Sequence, residues 1–429
     1  MKKFIALLFL TTTLFAADLP RRGAAGLMVE TVEGSVRVRG FVPGGAAEKS
    51  GLQIGDVITA VDGEAVATSS DVTSRIGRHK VGETVRVAYK REGKPGTATI
   101  TMGEWPRESN PDWETRYGQV TADGFRYRTI VTRPKGTGPF ATVFIVQGVG
   151  CGSIDNPPPD HGYRHLVAGI TRAGFATLRV DKPGTGDSEG GPCASADFQR
   201  EVNAYRAGLA SLKNETFVDQ KNVFLFGHSM GGIMAPVIAQ GHPLRGIVVY
   251  GTTYNSWNVY TIENLRRQMR LRGEPFESIA DAERQTEKFN ALFYVQKVPF
   301  QKILADHPEY REIFTDGKTY AAGKEGKYFQ QLYDTDTTRA WKAANTRILA
   351  LYGASDFLTD AKEVEWLAAA VNSWRPGTAK HIVLEGIDHY LNKAATQSDS
   401  MKQMRGEAPA EYNPLLVDTL VAFLKETKQ

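Results

Sequence analysis

The chain has 429 residues, room for more than one domain, and its 41% hydrophobic and 23% charged content excludes wholesale disorder. Its 52 Lys and Arg stand against 48 Asp and Glu with no long basic run, which excludes a dedicated nucleic-acid binder. Two cysteines exclude a disulfide-dense scaffold and a four-cysteine zinc site.

The first element is an address. Lys2 and Lys3 precede an apolar run from Phe4 to Phe15, and the small residues Ala16 and Ala17 follow. This pattern predicts a signal peptide over residues 1–17 and an exported protein, periplasmic or extracellular. The run is too short for a spanning helix, and no later stretch is long and apolar enough for a stable membrane span.

Residues 22–102 break into short strand-like runs at Gly26–Glu30, Ser35–Phe41, Asp56–Val61, Thr84–Lys90 and Thr97–Met102. Helices are expected at Ala46–Ser50 and Ser69–Ile76. Within this region stand Pro43-Gly44, Ala46-Ala47, Ser50-Gly51-Leu52, Gly55-Asp56 and Asp62-Gly63. These positions resemble a bacterial PDZ domain of the HtrA protease type. The resemblance implies a module that captures a protein C-terminus by strand addition. Its carboxylate loop would be Gly26, Leu27 and Met28. A PDZ fold kept only for packing is the competing reading.

Residues 103–115, with two prolines and no apolar period, read as a linker. From 116 to 429, apolar runs at Ala141–Gln147, Ala176–Asp181, Val223–Phe226, Gly246–Tyr250, Arg347–Tyr352 and His381–Leu384 alternate with helical stretches. That alternation predicts an α/β fold with a mostly parallel sheet covered on both faces. Strands at Arg116–Val120 and Phe125–Thr132 would form an antiparallel start.

Gly227-His228-Ser229-Met230-Gly231 stands between a strand and a helix-forming run. This is the G-x-S-x-G nucleophile elbow, with Ser229 exposed at a helix N-terminus. Asp356 follows the strand Arg347–Tyr352, and His389 follows the last strand. Asp360 is the fallback for the acid, although it also reads as a cap for a helix over Ala361–Val371. Asp181 opens the turn Asp181-Lys182-Pro183-Gly184-Thr185-Gly186-Asp187-Ser188. The motifs and their order resemble the α/β-hydrolase superfamily. The resemblance implies a catalytic triad of Ser229, His389 and Asp356 and a structural role for Asp181. It also implies an oxyanion hole from the amides of Met230 and Val149, the latter in the loop Gln147-Gly148-Val149-Gly150.

In the implied fold the strands before Cys151 and Cys193 are neighbours, so an exported protein would bridge these two cysteines. The bridge would close a 42-residue separation and contribute about 4 kcal/mol. The stretch 253–343 is longer than a strand-to-strand connection requires and rich in aromatics, which predicts a helical cap. His161 and His165 lie four apart, but no third ligand accompanies them, so no metal and no other cofactor is expected.

The expected activity is hydrolysis of carboxylic esters through an acyl-enzyme. A peptidase of the prolyl-oligopeptidase or aminopeptidase kind and a non-catalytic PDZ adaptor are the rivals. The expected partners are a small ester or peptide substrate and a protein C-terminus at the PDZ domain.

Overall fold

The computed structural model describes residues 19–32, 34–42, 44–312 and 320–429. The leader read over residues 1–17 lies outside them, as does Pro43. Among the described residues no helix is long and apolar enough to cross a membrane.

The smaller sheet runs in sequence order through five antiparallel strands, β1 (Leu27–Val32), β2 (Ser35–Phe41), β3 (Val57–Val61), β4 (Thr84–Arg91) and β5 (Lys94–Thr101), with the short strand Glu64–Ala65 paired to β3 as a sixth. Alternation makes them strands. Val36 and Val38 of β2 point inward while Arg37 and Arg39 point out, and Val85 and Val87 of β4 complete the same core. Helix α1 (Ser69–Ile76) packs on β1 and β3. Its cap is Thr68, whose hydroxyl accepts from the Asp71 amide while Asp71 accepts from the Thr68 amide.

The residues read as the carboxylate loop lie at the start of β1. Leu27 and Met28 begin β1 opposite Phe41 and Gly40, because the apolar run continues the pleat. Gly26 alone stays in the turn, at φ +69°, where a Cβ would come within 2.8 Å of Gly45.

The larger sheet has eight strands: β6 (Trp113–Ala122), β7 (Phe125–Pro134), β8 (Phe140–Val146), β9 (Ala176–Val180), β10 (Val218–His228), β11 (Gly246–Tyr250), β12 (Arg347–Gly353) and β13 (Ala379–Leu384). Their spatial order is β13-β12-β11-β10-β8-β9-β7-β6. β7 pairs antiparallel with both β6 and β9, and the remaining neighbours run parallel. Strand β11 is buried along its whole length, so it shows no alternation, and each of its Ile and Val side chains contributes about 1.5–3 kcal/mol. Helices α2 (Gly162–Arg172) and α12 (Leu415–Thr427) share one core beneath the sheet. Helices α3 (Phe198–Ser211) and α4 (Met230–Ile238) lie in the other.

Residues 19–22 pack on this larger unit although they precede the smaller one in sequence. Leu19 is buried, and its amide donates to Gln119 Oε1 at 2.9 Å. Arg21 Nη1 lies 2.7 Å from Asp155 and 2.6 Å from Asp187, with Arg128 on the same Asp187 carboxylate at 2.8 Å.

Residues 103–115 are not a free hinge. Gly103–Glu104 pairs antiparallel with Gly23–Ala24, the Arg22 guanidinium lies over the Trp105 ring, and Glu108 meets buried Arg179 at 2.7 Å. Its last three residues already belong to β6. The segment meets two buried arginines, Arg179 through the Glu108 carboxylate and Arg21 through the carbonyls of Trp105 and Pro106.

Candidate active site

Ser229 sits between β10 and α4 at φ +54° and ψ −121°, a conformation a non-glycine residue adopts only when its surroundings enforce it. The enforcement is local. Its amide donates to the Tyr250 carbonyl at 2.8 Å, which ties the turn to β11. A Cβ on Gly227 would meet the Gly231 carbonyl at 2.5 Å, and one on Gly231 would meet the Val146 carbonyl at 2.2 Å. Both glycines are therefore demanded by backbone approach, as the motif implies.

His389 lies in the loop after β13 and is buried. Its Nδ1 is 2.7 Å from Asp356 Oδ2. The Asp356 carboxylate is fully buried and accepts three more bonds: from the Leu358 amide at 2.7 Å, the Thr359 amide at 3.0 Å and the Thr359 hydroxyl at 2.6 Å. Burial pushes the Asp356 pKa up, but the His389 charge and these bonds outweigh it and hold the carboxyl below its ordinary range. Burial pushes His389 down, and the Asp356 charge and bond raise it above its ordinary value. With Nδ1 engaged, Nε2 is the nitrogen left for proton transfer.

The other acids near His389 have different work. Asp388 accepts from the Tyr390 and Asn392 amides and the Ser400 hydroxyl, so it shapes the loop that carries His389. Asp360 caps α10 (Ala361–Trp374) through the Lys362 amide.

The loop after β8 faces the elbow. Gly148 donates its amide to the Tyr163 hydroxyl at 2.8 Å, and that hydroxyl lies 2.7 Å from His228 Nδ1. His228 Nε2 lies 2.9 Å from the His389 carbonyl. A carbonyl only accepts, so Nε2 carries the His228 proton and Tyr163 donates to Nδ1. Burial, the largest influence, and the neighbouring His389 push His228 down to about 3, which keeps it neutral. Lys182 Nζ donates to the carbonyls of Gly148 and Gly150, the latter at 3.2 Å, on either side of Val149. Gln147 holds the Gly152 carbonyl at 3.2 Å. Asp181 accepts from the Ser153 hydroxyl and the Ile154 amide, the structural part expected of it.

Cys151 and Cys193 form a disulfide that joins this loop to the one after β9. His161 caps α2 and His165 stacks on Tyr412 at 4.1 Å, so the pair does not share a helical face. Among the described residues no cluster suited to a metal ion occurs.

Among the described residues between β11 and β12 stand five α-helices: α5 (Trp257–Leu271), α6 (Phe276–Asn290), α7 (Phe300–Asp306), α8 (Gly326–Asp334) and α9 (Thr337–Ala343). Trp257, Tyr260, Tyr320 and Phe329 from this insertion line a cavity of about 1060 Å³. Ser229, Met230, Val149 and His389 line the same cavity. The structure thus brings together every residue expected at the nucleophile, base and oxyanion positions, with Asp356 behind the base. Sequence reasoning missed Tyr163, His228, Lys182, Glu201 and Lys324. Of these only Lys182 carried a signal, as a lysine placed directly after the buried Asp181.

Comparison with known proteins bears on both units. The family described as Serine aminopeptidase, S33 matches residues 140–391, and the PDZ domain family matches residues 23–102. Esterase EstD of Thermotoga maritima is 24% identical over 327 residues, 74% of this chain and 71% of its own. The Serine protease Do-like HtrA of Lactococcus lactis subsp. cremoris is 39% identical over 85 residues, 20% of each chain. Among solved structures, an esterase of Pyrococcus furiosus aligns over 75% of this chain and 96% of its own, at 15% identity and a TM-score of 0.46.

Proposed function

The chain belongs to the serine aminopeptidase S33 family, and on that premise we propose that it is an exported carboxylic ester hydrolase acting through Ser229, His389 and Asp356. It is a serine hydrolase of the α/β-hydrolase fold with a PDZ domain in front. The observation that carries the triad is the buried His389–Asp356 pair at 2.7 Å, lodged beside the cavity that also holds Ser229 on its strained turn.

In this reading Ser229 Oγ attacks the ester carbonyl carbon while His389 Nε2 takes its proton. The carbonyl oxygen becomes an oxyanion and accepts from the amides of Met230 and Val149. Collapse breaks the bond to the alcohol, which leaves with the proton from His389. Water then attacks the acyl-enzyme by the same route and releases the acid. Asp356 stays ionised and stabilises the imidazolium.

Two facts favour esters over free peptide N-termini. The relative matched over most of its length is an esterase. Among the described residues the cavity wall bears one carboxylate, that of exposed Asp160, whereas an α-ammonium group calls for a buried acid. The Cys151–Cys193 disulfide supports an oxidising compartment. The PDZ domain is assigned to protein C-termini, which would add to the unpaired edge of β1 beside α1.

The test is hydrolysis of a chain-length series of p-nitrophenyl esters, with aminoacyl p-nitroanilides in parallel. Ester turnover that Ser229→Ala abolishes supports the assignment. Turnover of the anilides alone would replace it with a peptidase. Absence of both, together with no fluorophosphonate labelling, would leave an adaptor.

A further inference from the structure

The cap reaches the oxyanion loop through three buried charges. Glu201 of α3 meets Lys182 Nζ at 3.2 Å and Lys324 Nζ at 3.1 Å, and none of the three side chains is more than 1% exposed. Lys182 comes from the turn after β9 and also donates to the carbonyls of Gly148 and Gly150. Lys324 comes from the cap and also donates to the Cys193 carbonyl at 3.1 Å.

The cap turn that bears Lys324 is seated on the disulfide. The Gly323 carbonyl oxygen lies 3.7 Å from Cys151 Sγ. The Glu325 amide donates to the Ala194 carbonyl at 2.9 Å, and the Ser195 hydroxyl donates to Glu325 Oε1 at 2.6 Å. Ala321 and Ala322 of the same turn line the cavity.

An ammonium group has three protons. Those of Lys182 serve Glu201 and the two carbonyls that flank Val149. A buried carboxylate draws strongly on whatever cations remain. Without Lys324, Glu201 would draw Lys182 toward itself and away from Gly148 and Gly150. The Val149 amide would then lose its fixed direction.

We propose that Lys324 is a positioning residue for the oxyanion loop, acting through Glu201 and Lys182, so that the Val149 amide is aligned by the seated cap turn. This rests on the reading of Ser229 as nucleophile and Val149 as donor.

The experiment uses the full chain and the ester turned over best. Lys324→Met lowers kcat roughly tenfold and changes KM less than about twofold, because a misaimed donor is felt only in the tetrahedral state. The inhibition constant of a trifluoromethyl ketone, which forms a tetrahedral adduct, rises by the same factor. That of the matching methylene analogue, which cannot form the adduct, stays fixed. Lys324→Arg restores both values. Should Lys324→Met fail to fold, Lys324→Gln, which removes the charge and keeps a polar head, gives the same split. Unchanged kcat and ketone affinity in folded variants, with Ser229→Ala inactive, would overturn the inference and leave the esterase reading standing. Turnover by Ser229→Ala would overturn that reading itself.

Discussion

His228, the residue before the nucleophile, lies with Nε2 2.9 Å from the main-chain carbonyl of His389. Nucleophile strand and base loop are thereby bonded to each other apart from any bond between Ser229 and the base. The same imidazole continues through Tyr163 to the Gly148 amide. One buried neutral ring therefore registers three loops of the site.

Tyr163→Phe tests that registration. It removes the group that accepts from Gly148 and donates to His228, leaving two buried polar groups unmet at about 1–3 kcal/mol each. The expected outcome is a drop in kcat for ester hydrolysis, with a fall in melting temperature read by calorimetry. An unchanged kcat would show that the loops hold their register without it.

The pH profile follows from the base pair. In the proposed mechanism neutral His389 accepts the serine proton, so kcat/KM falls as pH drops through the raised His389 pKa, above the ordinary histidine value of about 6.5. Stability carries the opposite sign for the two partners. The contribution of His389 is full below its unfolded pKa and is lost as pH rises through its folded one. That of Asp356 is full above its unfolded pKa and is lost as pH falls through its lowered folded one. Both are present between about pH 4 and 6.5. Melting temperature against pH should show that window in the wild type and lack it in Asp356→Asn. The same variant should lose about 10⁴ in kcat.

Removing the disulfide tests the loop closure. Cys151→Ser with Cys193→Ser frees a chain separation of 42 residues, and denaturant unfolding should register a loss of about 2–4 kcal/mol. Ester turnover should fall as well, because the bridge adjoins the loop that carries Val149. Full retention of kcat would place the alignment of that loop in Lys182 alone.

Arg21→Ala leaves Asp155 without its ion-pair partner and Asp187 with only Arg128, all in a dry interior. Breaking such a network costs about 3–5 kcal/mol. Urea unfolding should register a loss of that size in the whole chain. A loss under 1 kcal/mol would mean that water reaches the cluster.

The sheet and elbow were legible because their signals are local. Continuous apolar runs mark strands buried on both faces, and Gly227 and Gly231 mark a turn that tolerates no Cβ. Asp356 and His389 were found because each follows a strand in a known order. The buried charges were not legible. Arg21, Glu201 and Lys324 look like ordinary surface residues in sequence, since only tertiary contact reveals where a charge is balanced. Residues 103–115 have the composition of a linker, although Glu108 meets buried Arg179 and residues 113–115 belong to β6, because composition shows neither contact.

The two-stranded pairing of Gly23–Ala24 with Gly103–Glu104 has an architectural consequence. Ala24 faces Gly103 in an antiparallel register, the spacing that a two-residue hairpin turn closes. The whole PDZ module thus hangs from its host as an oversized hairpin loop, with both stems rooted in the catalytic unit. Excising residues 25–102 and closing the stem with Asn-Gly would leave Leu19, Arg21, Arg22 and Trp105 in place. A cut at residue 116 would instead remove the first three residues of β6 and, with them, the Arg21 and Glu108 ion pairs.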